Sequence, residues 1–405
     1  MVELEFRRYI GGFPKDNIDM EDFVTTDFNG QYPSIDHLKK RAFKRMPKFA
    51  YEYLIGGCNE DVNLSRNKSD IQDVELMPEY LAPHTSSDIS TELFGIKYSA
   101  PFGIAPIGLQ GLIWPNSPEI LAKAAVKHNI PFILSTVTTT SIERAAEITG
   151  GKAWFQLYHP AKDEVRDDII KRLQDVECPV LVLLADVPSF GFRPRDIRNG
   201  LSMPPKMSLR NFMQISGKPN WALQTLYYGQ PNFATLKPYM PKNLNLSQLG
   251  KFMDATFEGR LNEDKIAAIR DKWKGKIVIK GIVNEIDAEK SIKLGIDGII
   301  VSNHGGRQLD AGQSTIKPMI NLAEKYGDKL TVMMDSGVRS GPDIARVMAS
   351  GAKFTFMGRP FMYGVGALGN EGGNHVISML KIQLQQVMDQ LCCKEVGDLP
   401  EHLIR

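Results

Sequence analysis

The chain has 405 residues, 42% of them apolar, and a formal net charge of +2. That near-balance removes charge as a reason to expect nucleic acid or an acidic membrane as the main partner. The length suffices for a large core and suits a single α/β barrel with insertions. The four cysteines (Cys58, Cys178, Cys392, Cys393) fit no disulfide framework, redox motif or metal spacing, so no metal is expected. The first residues show no basic segment followed by an apolar core, and no apolar stretch could span a bilayer; a cytoplasmic setting is expected.

In chain order, residues 1–75 contain two stretches of helical periodicity, Ile35–Lys44 and Lys48–Ile55, expected to pack as a helical segment on one end of the remainder, 76–405. From Phe102 onward, strand-length apolar runs alternate with amphipathic segments. The runs are Phe102–Pro106, Phe132–Ser135, Ala153–Leu157, Val180–Asp186, Lys276–Lys280, Gly298–Ser302, Leu330–Asp335 and Phe354–Gly358. Helical segments such as Pro118–His128, Glu285–Leu294 and Pro342–Ala349 fall between them. Eight β-then-α units predict a closed parallel (β/α)₈ TIM barrel rather than an open doubly wound sheet. After the fourth strand, residues 187–275 exceed what one crossover needs. This stretch carries Trp221, Tyr227, Tyr228, Phe233 and Tyr239. An insertion on a βα connection reads as an active-site lid. No clear amphipathic helix is expected in 207–240, and membrane attachment there is therefore disfavoured.

Barrel active sites form at the C-terminal strand ends. Here those ends offer Pro106 and Gly108, Ser135, Gln156 with Tyr158, Asp186 followed by Arg193, Lys280, Ser302 with His304, Asp335 through Arg339, and Gly358-Arg359. The loop Ser302-Asn-His-Gly-Gly-Arg-Gln-Leu-Asp310 places a titratable imidazole, His304, three residues before a fixed cation, Arg307. A base beside a guanidinium suits an acidic small molecule that must lose a proton. Gly337, Arg339, Gly358 and Arg359, at strand ends seven and eight, have the makings of a phosphate site. A lysine emerging from a buried strand, Lys280, needs an anion or an electron-rich ring. Phosphate, ring-facing lysine and the gap at Gly108 together point to a phosphorylated aromatic cofactor.

These segments, together with Phe155-Gln-Leu-Tyr158, Ile279-Lys-Gly281, Asp335-Ser-Gly-Val-Arg339 and Gly358-Arg-Pro360, resemble the FMN-dependent α-hydroxy acid oxidising enzymes over residues 45–390. Phe190–Asp196 and Gly366–Val376 look closest to the lactate 2-monooxygenase branch. The resemblance implies FMN as cofactor and an L-2-hydroxy acid, such as L-lactate, as substrate. Oxygen or another acceptor, a quinone included, would take the electrons, with keto acid plus peroxide or a decarboxylated acid as alternative products. It implies His304 as base, Asp186 as its partner, and Arg193 and Arg307 on the substrate carboxylate. Tyr53 and Tyr158 would be hydrogen-bond donors to substrate, and Lys280 would face the flavin. Ser135, Gln156, Ser302 and Asp335 would bond the cofactor. It also implies a homotetramer. The set His304, Asp186, Arg193 and Arg307 argues against a flavin-binding protein without turnover. Three positions depart from common family residues: Leu184 for threonine, Gly108 for alanine and Ser336 for glycine.

Overall fold

The computed structural model describes residues 28–84, 86–201, 208–229, 231–241, 252, 256–257 and 260–404. A hairpin, β1 (Thr91–Leu93) and β2 (Ile96–Tyr98), precedes eight parallel strands. These are β3 (Phe102–Ile104), β4 (Ile133–Ser135), β5 (Trp154–Leu157), β6 (Val180–Leu184), β7 (Lys276–Ile282), β8 (Gly298–Val301), β9 (Thr331–Met334) and β10 (Phe354–Met357). Their order is β3-β10-β9-β8-β7-β6-β5-β4, and a parallel bridge from Ile104 to Phe132 closes the ring. The expected (β/α)₈ barrel is present, with helices between successive strands.

Its strands read as unbroken apolar runs because both faces are covered: helices outside, side chains inside. Trp154, Val180, Val182, Val278, Ile300, Met333, Phe354 and Phe356 belong to the interior cluster, and hairpin residues Leu93, Phe94, Ile96 and Tyr98 pack against it. The filled interior leaves only the far strand ends free to carry polar chemistry. On the N-terminal side, helices Ile35–Arg45, Lys48–Ile55 and Val62–Gln72 pack on the barrel through Leu38, Ala42, Phe49, Leu54 and Ile71, all buried. Residues 1–27 of the expected N-terminal segment lie outside the described residues.

Between β6 and β7 the chain forms short helices at Pro194–Arg198, Leu209–Ser216 and Pro219–Tyr228, then the crossover helix Glu263–Lys272. Trp221 anchors this excursion: it is buried, its ring meets Phe49 at 5.8 Å, and its indole donates to the Ile113 carbonyl at 3.1 Å. The expectation of no amphipathic helix in 207–240 is corrected. Helix Leu209–Ser216 turns Leu209, Phe212 and Met213 outward while Asn211 is buried and donates to the Asn199 carbonyl. Leu223, Leu226 and Tyr227 on the next helix are exposed as well. The side to which this apolar stripe turns follows from the Trp221 and Asn211 anchors, which are tertiary. No helix among the described residues is long and apolar enough to cross a membrane.

Candidate active site

β7 delivers Lys280, the loop after β8 His304 and Arg307, β9 Asp335 and β10 Arg359, all on the wall of one cavity of about 520 Å³, while Asp186 after β6 and Ser302 after β8 stand behind that wall. That volume lies within the usual range for small-molecule sites. Behind His304 and Lys280, Asp186 Oδ1 receives His304 Nδ1 at 2.8 Å, while Oδ2 receives Lys280 Nζ at 3.2 Å and Ser302 Oγ at 3.3 Å. Lys280 also donates to Ser302 Oγ at 2.8 Å and lies 3.4 Å from Asp335 Oδ2. Gly281 makes this crossing possible. Its φ of +106° is left-handed, and a Cβ there would stand 2.5 Å from that of Asp186.

Burial disfavours the Asp186 carboxylate, but Lys280 and His304 outweigh it and hold the group down at about 2. Lys280 is pushed above its ordinary value, because Asp186 and Asp335 overcome its burial. For His304 burial prevails over Asp186, and Lys280 adds to it, so the imidazole sits below 6.5. An ionised Asp186 therefore takes the hydrogen on Nδ1, which leaves Nε2 of a neutral ring as a proton acceptor. His304 adopts φ +58°, a conformation that costs a non-glycine residue about 1–3 kcal/mol and is held here by Asp186 and Ser302.

Facing the imidazole are the two expected arginines. Arg307 donates through Nη1 to the carbonyls of Tyr53 and Gly56, and its guanidinium lies 4.7 Å from the centre of the Tyr53 ring. Its buried Nη2 has no hydrogen-bond partner and is 3.5 Å from Asp196 Oδ2. Arg193 Nη2 donates to Gln308 Oε1 at 3.0 Å. Tyr158 is partly buried, and desolvation followed by Asp186 raises its hydroxyl well above 10, so it stays a donor. Tyr53 and Tyr158 both line the cavity, whose remaining wall here is apolar: Ile107, Leu109, Val137, Ile197, Leu201 and Phe233.

At the other end sit Arg339 and Arg359. Arg359 donates to the carbonyls of Leu54, Gly305 and Gly56; Arg339 Nη1 donates to that of Val338. Among the described residues neither has a side-chain carboxylate within ion-pair distance. Burial and then Arg339 lower Arg359 to about 9, which marks a cation pair short of an anion. Gly337, with φ +101°, could not carry a Cβ, which would lie 2.3 Å from the Asn67 carbonyl oxygen. Of the two helices starting here, Gly341–Ala349 is already capped by Ser340, whereas Arg359–Leu368 has no side-chain cap and starts on the cavity wall. These donors fit a phosphate, and Lys280 on the same cavity wall fits a flat anionic ring: the residues present suit FMN.

Pro106, Gly108, Lys280, Asp335, Gly337, Arg339, Gly358 and Arg359 line the cavity as expected. Ser135 and Gln156, in register on neighbouring strands, are buried but off its wall; Ser302 acts through Lys280, His304 and Asp186. Ser336 matters more than a swap for glycine suggested: its Oγ accepts from the Gly305 backbone N–H and donates to Asp335, tying β9 to the His304 loop. Also missed were Asn303, bonded to Asn63 and Asn67, and Asp310, which accepts from the backbone N–H groups of Glu60 and Asn63. Half of the His304 loop's polar residues thus fasten the N-terminal helices. Their place inside the loop motif was the available signal.

Known proteins agree with this geometry. The family model described as FMN-dependent dehydrogenase matches residues 42–405. The chain is 33% identical to an L-lactate dehydrogenase of Caulobacter sp. (strain K31) over 90% of its own length and 93% of that protein's. It is 33% identical to the (S)-mandelate dehydrogenase of Pseudomonas putida, over 91% and 93% respectively. A solved structure, that of the monotopic membrane protein (S)-mandelate dehydrogenase, superposes with a TM-score of 0.86 at 32% identity, covering 93% of this chain and 100% of that one. With a barrel whose strand ends gather a carboxylate-held imidazole, a buried lysine and an arginine pair, this chain belongs to the FMN-dependent dehydrogenase family.

Proposed function

We propose that the protein oxidises an L-2-hydroxy monocarboxylic acid to the 2-keto acid. The observation that carries this is the His304–Asp186 pair, set opposite an arginine whose Nη2 is buried and unpartnered. Bound FMN supplies the two-electron acceptor. Arg307 and Arg193 hold the carboxylate, Tyr158 and Tyr53 donate hydrogen bonds, and Nε2 of His304 takes the proton. Asp186 then faces an imidazolium and stabilises it. Lys280 would place its positive charge beside the flavin ring, and Arg339 and Arg359 would hold the phosphate. The apolar wall from Leu109 to Phe233 favours an apolar side chain, from the methyl of L-lactate upward. Anaerobic addition of L-lactate should bleach the oxidised flavin band. A band unmoved by L-lactate and by larger acids such as L-mandelate would sink the reading.

The acceptor is read from products. Peroxide under air marks an oxidase, acetate from lactate marks the monooxygenase outcome, and neither marks a dehydrogenase passing electrons to a quinone or another carrier. The dehydrogenase names of the relatives support the last. A second reading follows from the outward Leu209, Phe212, Met213, Leu223, Leu226 and Tyr227: this hairpin seats the protein on a membrane surface. The likeness to a monotopic membrane protein supports it. Recovery in the membrane pellet, lost on deleting 207–240, is the expected result. The family resemblance supports a homotetramer, which light scattering would test.

A further inference from the structure

One charged group on the cavity wall has no part in the chemistry above. Asp196, in the short helix Pro194–Arg198, is buried yet lines the cavity, and its Oδ2 stands 3.5 Å from Arg307 Nη2 and 3.9 Å from Arg193 Nη1. Both separations are ionic contacts rather than hydrogen bonds, and Arg307 Nη2 stays without a partner. The other charges nearby are already matched. Arg195 pairs with Asp61, and Glu52 pairs with Arg198 and accepts from Asn199. At this end of the cavity, two guanidinium groups therefore meet one carboxylate and leave a single net positive charge.

We propose that Asp196 is a specificity-determining positioning residue that sets the clamp to accept one carboxylate and to reject a second. This rests on the reading of the cavity as a 2-hydroxy acid site. A monocarboxylate completes the charge balance and meets the free Nη2. A dicarboxylate brings an extra negative charge into a buried, otherwise apolar pocket that already holds Asp196. Two like charges some 6 Å apart at an effective dielectric near 20 repel enough to cost at least about tenfold in affinity. The same carboxylate keeps Arg193 and Arg307 side by side, since without it each guanidinium would face only the other's charge.

The test compares acids of equal length on the FMN-loaded full chain. Binding of succinate and butanoate is followed by the perturbation of the flavin spectrum, and turnover is measured with L-malate and L-2-hydroxybutanoate. In Asp196→Asn the dicarboxylate-to-monocarboxylate ratio should rise at least about tenfold in both assays, with KM for the monocarboxylate equal or lower. A merely structural role predicts weaker binding of all four acids at an unchanged ratio, and that result overturns the proposal. If Asp196→Asn loses FMN, Asp196→Ser is measured in its place, and loss of FMN from both assigns the residue to folding and overturns it too. Should the wild type oxidise no 2-hydroxy acid, the proposed activity fails, while the succinate-to-butanoate ratio still decides the charge rule.

Discussion

The cavity and the 209–228 hairpin differ in what each leaves unmatched. In the cavity the shortfall is electrical: Arg339 and Arg359 are half-buried without a side-chain carboxylate among the described residues, and Arg307 Nη2 is buried without a hydrogen-bond acceptor. In the hairpin it is apolar: six large side chains face outward on helices held by Trp221 and Asn211. Each region is well anchored on its inner side and incomplete on its outer one. The kind of shortfall fits the partner proposed for each region, small anions in one case and an apolar surface in the other.

The comparison can be broken most sharply at His304. Replacing it with alanine should lower the anaerobic rate of flavin bleaching by about 10²–10⁴-fold while the flavin spectrum persists. Because burial keeps the imidazole below 6.5, the wild-type kcat/KM should be level at neutral pH. It should fall only when acid protonates Nε2, on a limb below the ordinary histidine value. Tyr158, held protonated, contributes no alkaline limb below pH 10. A bleaching rate that His304→Ala leaves intact would remove the base from this residue.

The apolar side is next. Leu209→Ser, Phe212→Ser and Leu226→Ser together should reduce partitioning onto lipid vesicles by about 100-fold, taking roughly 1 kcal/mol for each half-buried side chain. Bleaching by substrate should stay unchanged, since none of the three lines the cavity. Equal vesicle binding by wild type and variant would leave the hairpin without its surface. The smallest effect is expected from Arg339→Gln, which should weaken FMN binding about tenfold in a fluorescence titration. Without FMN the same change should leave the melting temperature equal or higher, because a buried cation is gone. A lower melting temperature without FMN would mean that the arginine pair is satisfied by the protein itself.

Much of this was readable in the sequence because it is local. A strand buried on both faces writes itself as an apolar run, and a barrel puts the next residues at the site. So the Lys280, His304 and Arg359 strand ends could be found one by one. The pairing of His304 with Asp186 came with the family resemblance, but the contact of Lys280 with the same carboxylate did not. Asp186 and Lys280 are 94 residues apart, and their contact depends on a glycine, Gly281, and a register shift between Lys280 and Ile282. Asp196 escaped notice because its meaning lies in two arginines, one of them delivered by another loop. The outward face of the hairpin was hidden for the same reason: periodicity gives a stripe, and only an anchor gives its direction.

Arg359 has one more consequence. Its guanidinium joins the carbonyls of Leu54 and Gly56, about three hundred positions upstream, to that of Gly305. The cation at the phosphate end is thus also the rivet between the first helices and the His304 loop. Loss of that guanidinium would then loosen the beginning of the chain as well as the site, with opening first around residues 54–56, where quality-control proteases gain their grip.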